Sequence, residues 1–103
     1  MLAKVKLAKR IQTTVFDQEL LDLIAAAIAD IQHAGVEFNY TTVTTNDVVT
    51  DYTITDALIS RAVVTYCIMN FGSPDDYDRL KASFDDQKGQ LRESSGYGLE
   101  VVE

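Results

Sequence analysis

The chain has 103 residues, of which 47% are hydrophobic and 24% charged. That is room for one domain with one core, and the balance excludes wholesale disorder. Net charge is −7, which argues against general nucleic-acid binding, where a basic footprint is required; the single cysteine and single histidine exclude an internal disulfide and a cysteine-based zinc cluster. Charge is unevenly placed: Lys4, Lys6, Lys9 and Arg10 lie in the first twelve residues with no acidic side chain among them. The remainder is therefore more acidic than the total.

Five glycines and one proline leave few breaks, which favours a mainly α fold. The predicted architecture is a small bundle of about four helices, at roughly 3–11, 17–33, 56–71 and 74–93, with a β-hairpin or an extended loop at 36–54. The first helix is basic and only partly periodic, with Val5 and Leu7 as its apolar positions. A helix this short is unstable alone and must dock. Thr14 or Asp17 is expected to cap the second helix. Leu20, Ile24, Ile28 and Ile31 form one face of it, widened by Leu21 and Ala25, and the alanine run 25–27 allows close helix approach. Gly35 is the expected left-handed stop.

Residues 36–54, VEFNYTTVTTNDVVTDYTI, are rich in types that prefer extended chain. Asn46-Asp47 is the expected turn between two strands. The third helix, with Thr55 as its expected cap, is apolar almost all round and is expected to be central. Arg61 is its one formal charge. Ser73-Pro74-Asp75-Asp76 marks the start of the fourth helix, with cap, first-turn proline and first-turn acids in order. Tyr77, Leu80, Phe84, Lys88 and Leu91 trace its inner face. Residues 94–103 form a tail that either frays or docks.

No reactive constellation emerges. There is no glycine-rich phosphate loop and no metal-ligand spacing. Asp75, Asp76, Asp78, Asp85 and Asp86 lack the spaced oxygens and glycine turn of a calcium loop and read as a helix start and a solvated face. Cys67 falls in the apolar helix and reads as an inert buried thiol; His33 reads as a helix-end residue. No enzymatic activity, cofactor or metal is expected. No apolar run is long enough to span a bilayer and no signal-peptide pattern is present, so a soluble intracellular protein is expected.

Three stretches carry a resemblance to a known family: KLAKRI at 6–11 with FDQELLDLIAAA at 16–27, DALISRAVVTYC at 56–67, and NFGSPDDYDRL at 70–80 running on to Tyr97. In their order and spacing the chain resembles the head–tail connector proteins of tailed bacteriophages, also described as DNA-packaging or head-completion adaptors. Residues 36–54 depart from it, since many relatives join these helices more briefly. The resemblance implies a virion protein, made in the host bacterial cytoplasm, that forms a homo-oligomeric ring below the portal. Such a ring joins the portal to the next head-completion or tail protein, and DNA passes through its lumen without specific binding. It supplies no enzymatic residues.

A ring requires two different, complementary surfaces per subunit. From charge asymmetry the candidates are Lys4, Lys6, Lys9 and Arg10 on one side and Asp75, Asp78, Asp85 and Asp86 on the other. Tyr97, Leu99, Val101 and Val102 are candidates for a portal-docking tail. The competing reading is a small helical regulatory or adaptor protein that binds one peptide or protein partner in a groove.

Overall fold

The computed structural model describes residues 1–71 and 75–93. Element order is α1 (Leu2–Lys9), α2 (Asp17–His33), β1 (Thr41–Thr45), β2 (Val48–Thr53), α3 (Ala57–Asn70) and α4 (Tyr77–Glu93). The fold is mainly α with a two-stranded antiparallel hairpin, which decides residues 36–54 in favour of strands.

α3 is the helix on which the others pack, since α1, α2 and α4 all lie against it. Its apolar composition demands this. Ile59, Ala62, Val63 and Cys67 are fully buried, and Met69 nearly so. The Ile, Val and Met side chains among them contribute about 1.5–3 kcal/mol each when removed from water. α2 faces it with Leu20, Leu21, Ile24, Ala27, Ile28 and Ile31. The expected stripe holds, although Ala27 is fully buried and Ala25, expected to widen the stripe, only partly so. α4 supplies Leu80, Phe84 and Leu91, and the Phe84 ring meets Tyr66 of α3 edge-on at 5.3 Å. α1 buries Val5 fully and packs Leu2 partly against the core, while Leu7 is 80% exposed. Val5 is the residue that docks this short helix.

Helix ends follow local chemistry with three corrections. Asp56, not Thr55, caps α3, its Oδ1 accepting from the backbone N–H groups of Leu58 (2.9 Å) and Ile59 (3.1 Å). Aspartate presents two acceptor oxygens and a charge that suits the positive helix end. At α2 the cap position is Phe16, with no side-chain cap bond, so neither Thr14 nor Asp17 caps it. Asp17 instead accepts from Lys6, a tertiary ion pair that outcompetes the local bond. α4 begins at Tyr77, with Asp75 and Asp76 in the turn before it. The expected cap and proline, Ser73 and Pro74, lie outside the described residues.

Gly35 ends α2 as expected, at φ +93°. Its N–H donates to Gln32 O (3.0 Å), and Val36 N–H reaches Ile31 O (3.4 Å). Val36 and Ile31, both fully buried, pack where this paired closure brings them together. α1 closes in the same way at Arg10, where Arg10 N–H donates to Leu7 O and Ile11 N–H to Lys6 O. Here the left-handed residue is an arginine, at φ 58°.

The hairpin turns at Asn46 and Asp47, both at positive φ (54° and 65°). A two-residue turn of this kind matches the twist of the flanking strands, and Asn and Asp tolerate it best after glycine. A bulge lies at Thr50, since Val43 pairs with Asp51 and Thr44 with Val49. Two substitutions test the helix closures by urea denaturation. Gly35→Ala is expected to cost about 1 kcal/mol from backbone strain alone, because the nearest atom to an added Cβ is Arg92 Cγ at an ordinary 3.9 Å. Arg10→Gly is expected to stabilise the fold, by up to about 1 kcal/mol.

Candidate assembly surfaces

The base of the hairpin is tied to α1 through Asp51. Its Oδ1 accepts from Leu2 N–H (3.0 Å) and Tyr52 N–H (2.7 Å) and lies 3.3 Å from the Met1 ammonium, which itself donates to Tyr52 O (2.9 Å). A strand residue thus satisfies a donor at the start of a helix 49 residues away in sequence. Ser60, buried in α3, donates to Ile54 O at 3.1 Å and fixes the exit of β2. Phe38, Tyr40 and Tyr52 form a chain of ring contacts at 6.0 and 6.2 Å beside this anchor. Beyond it the hairpin stands clear of the bundle, and all five residues of β1 are exposed.

The four basic candidates separate into two pairs. Lys6 donates to Asp17 Oδ1 at 2.8 Å and is largely covered, which binds α1 to the start of α2. Lys9 lies 5.9 Å from the centroid of Phe71, whose ring also meets Phe16 edge-on at 5.3 Å. These two serve the fold. Lys4 and Arg10 are exposed and, among the described residues, make no ion pair.

The acidic candidates divide likewise. Asp85 takes Lys81 (3.1 Å) and lies 3.7 Å from Lys88, and Asp86 accepts from Gln90 (3.1 Å). Asp76, not among the candidates, pairs with Arg79. Asp75 and Asp78 are exposed and make no ion pair with a described residue. Lys88 turns inward, its ammonium 2.8 Å from Asp30 of α2 and 4.7 Å from the Phe84 centroid. The expected cover by its aliphatic stem is joined by an ion pair that the spacing did not reveal. Tyr97, Leu99, Val101 and Val102 lie outside the described residues.

Two recesses flank α4. One, of about 210 Å³, is lined by Asp30, Tyr66, Asn70, Tyr77, Lys81 and Lys88 among others. The other, of about 80 Å³, lies between Leu58, Arg61, Gln87, Gln90 and Leu91. Among the described residues no three His, Cys, Asp or Glu side chains are grouped to hold a metal ion, and no helix is long and apolar enough to cross a membrane. Cys67 is buried, and burial pushes its thiol up to about 12.

The described residues thus form a helical bundle tied by tertiary ion pairs, with a two-stranded hairpin fastened at its base. The family model described as phage connector protein matches residues 1–98. The chain belongs to the phage connector protein family, whose members are structural proteins of the virion. No curated protein and no solved structure matches it.

Two measurements follow from these contacts. Burial by itself raises the Asp51 carboxyl, but the Leu2 and Tyr52 N–H donors and the Met1 ammonium outweigh it and hold the group below its ordinary value. The folded pKa thus lies below the unfolded one. Its stabilisation is complete above the unfolded carboxylate pKa, about 4, and is lost as pH falls through the folded value. Asp51→Ala is expected to cost about 1–2 kcal/mol at pH 7, and the gap to wild type is expected to shrink at pH 3 in urea titrations. Thiol labelling of Cys67 at pH 7 is expected to be on the order of a thousandfold slower in the folded chain than in urea.

Proposed function

We propose that the protein is a head–tail connector subunit that assembles into a ring below the portal and joins the DNA-filled head to the next head-completion or tail protein. The observation that carries this reading is the split of uncompensated charge. Lys4 and Arg10 are left over on α1, and Asp75 and Asp78 at the entry to α4, after every other candidate has found a partner within the chain or a stacking ring. Two unlike surfaces on one subunit are what a head-to-tail ring contact needs. Family membership favours this over a peptide-binding adaptor. The acidic net charge suits a lumen through which DNA slides, because it repels phosphates and offers few cations to hold them. Residues Tyr97, Leu99, Val101 and Val102 are the proposed portal-docking tail.

Charge reversal should be confined to Lys4→Glu and Arg10→Glu, because reversing Lys6 or Lys9 would also loosen α1. The double variant is expected to keep wild-type helicity but to lose ring assembly at low salt, seen by light scattering and negative-stain microscopy. Unchanged particle size would remove the charge assignment. Deleting 99–103 is expected to weaken capture by the portal without changing thermal stability; equal capture would remove the docking role.

A further inference from the structure

β1 has an edge that no other described strand pairs with. It pairs on one side only, with β2, in a two-stranded sheet, so a row of its backbone N–H and C=O groups faces solvent. Soluble proteins blunt such edges with lysine, proline, inward charge or a bulge. β1, Thr41-Thr42-Val43-Thr44-Thr45, has no charge and no proline, and the bulge lies on the opposite strand.

The outer edge of β2 is different. At its base, Tyr52 O accepts from the Met1 ammonium, and Asp51 Oδ1 accepts from Leu2 N–H. Nearer the turn, Val48 and Thr50 are exposed. One hairpin therefore carries two unlike edges, one open along its length and one open only toward the tip. Its strands also carry no charge toward the tip. Between Phe38 and Thr50 the only charged residue is Asp47, in the turn. In a chain of net charge −7, these strands offer a second copy little like-charge repulsion. Val43 and Val48 lie on the same hairpin face, 44% and 57% exposed.

We infer that the hairpins pair with one another, β1 of one copy adding to the tip half of the β2 edge of the next. The occupant is a second copy because one hairpin holds both complementary edges and both are free of charge. Successive copies around a rotation axis place β2 beside the neighbour's β1 with opposite chain directions, so the antiparallel alternation continues from copy to copy. This rests on the ring reading: an unlike pair of edges propagates head to tail, whereas β1 against β1 would close a dimer and stop.

Single-cysteine variants of the full chain test it, with buried Cys67 as a silent background. Thr41→Cys, Val43→Cys and Thr45→Cys, each mixed with Val48→Cys and oxidised, scan the register along one face. A disulfide requires the two Cα atoms within about 7 Å, which only neighbouring strands provide. At least one mixture is expected to give a mixed disulfide between chains, at least tenfold above either variant alone. Separately, Thr42→Lys with Thr44→Lys is expected to keep wild-type circular dichroism and raise the concentration needed for rings at least tenfold. Rings by microscopy with no mixed disulfide in any of the three mixtures would overturn hairpin pairing and leave the ring reading standing. So would assembly of the lysine variant at wild-type concentration, or a disulfide of β1 variants with themselves in place of the mixed one. Absence of rings from the wild-type protein under all conditions would overturn the ring reading, and this pairing with it.

Discussion

α3 is a fourteen-residue helix with one formal charge and a surface that is apolar over most of its circumference, exposed only along Ala57, Leu58 and Arg61. Left in solvent it would forfeit several increments of about 1.5–3 kcal/mol, one for each large apolar side chain. The remaining elements are arranged so that it is not. α2 closes one flank with its isoleucine and leucine stripe, α4 another with Leu80, Phe84 and Leu91, and α1 a third with Val5. The Asp56 cap fixes where the helix starts, and Ser60 ties its first turn to the strand that precedes it. Enclosure of α3 therefore sets the positions of all three other helices and of the hairpin's base.

The second level of organisation is electrostatic and serves to hold short elements in place. α1 buries a single side chain fully, too little to hold an eight-residue helix. Lys6 on Asp17 and Asp51 on Leu2 supply what its packing lacks. Lys88 does the same between α4 and α2. These pairs are partly shielded from water, where an ion pair is worth more than at an open surface. They also decide which charges are left for other molecules. Lys4, Arg10, Asp75 and Asp78 are among the charges that stay exposed.

The hairpin is the part that the bundle does least to stabilise. A two-stranded sheet is marginal in water, and here its base is fastened while its tip is bare. Its turn, Asn46-Asp47, is chosen for shape, and its strands for extended chain. A well-specified element that buries little within its own subunit is suited to burying more against a neighbour.

The helices, the centrality of α3, the Gly35 stop and the Asn46-Asp47 turn were legible in the residues themselves. Each depends on local rules: apolar spacing, tolerance of positive φ, and strand preference of Thr and Val. The family too was legible, through the order of three segments along the chain. The two misplaced caps differ in cause: Asp56 displaces Thr55 by a local bond to its own helix, whereas Asp17 is engaged by Lys6, a partner that only the tertiary structure supplies. The same holds for charge. Lys6 and Lys9 look like Lys4 and Arg10 in sequence, whereas the Lys81 and Lys88 that meet Asp85 stand only four and three residues from it. Only the tertiary structure separates those paired or stacked within the subunit from those facing outward, because partners 11 to 58 residues apart meet only when the helices have packed.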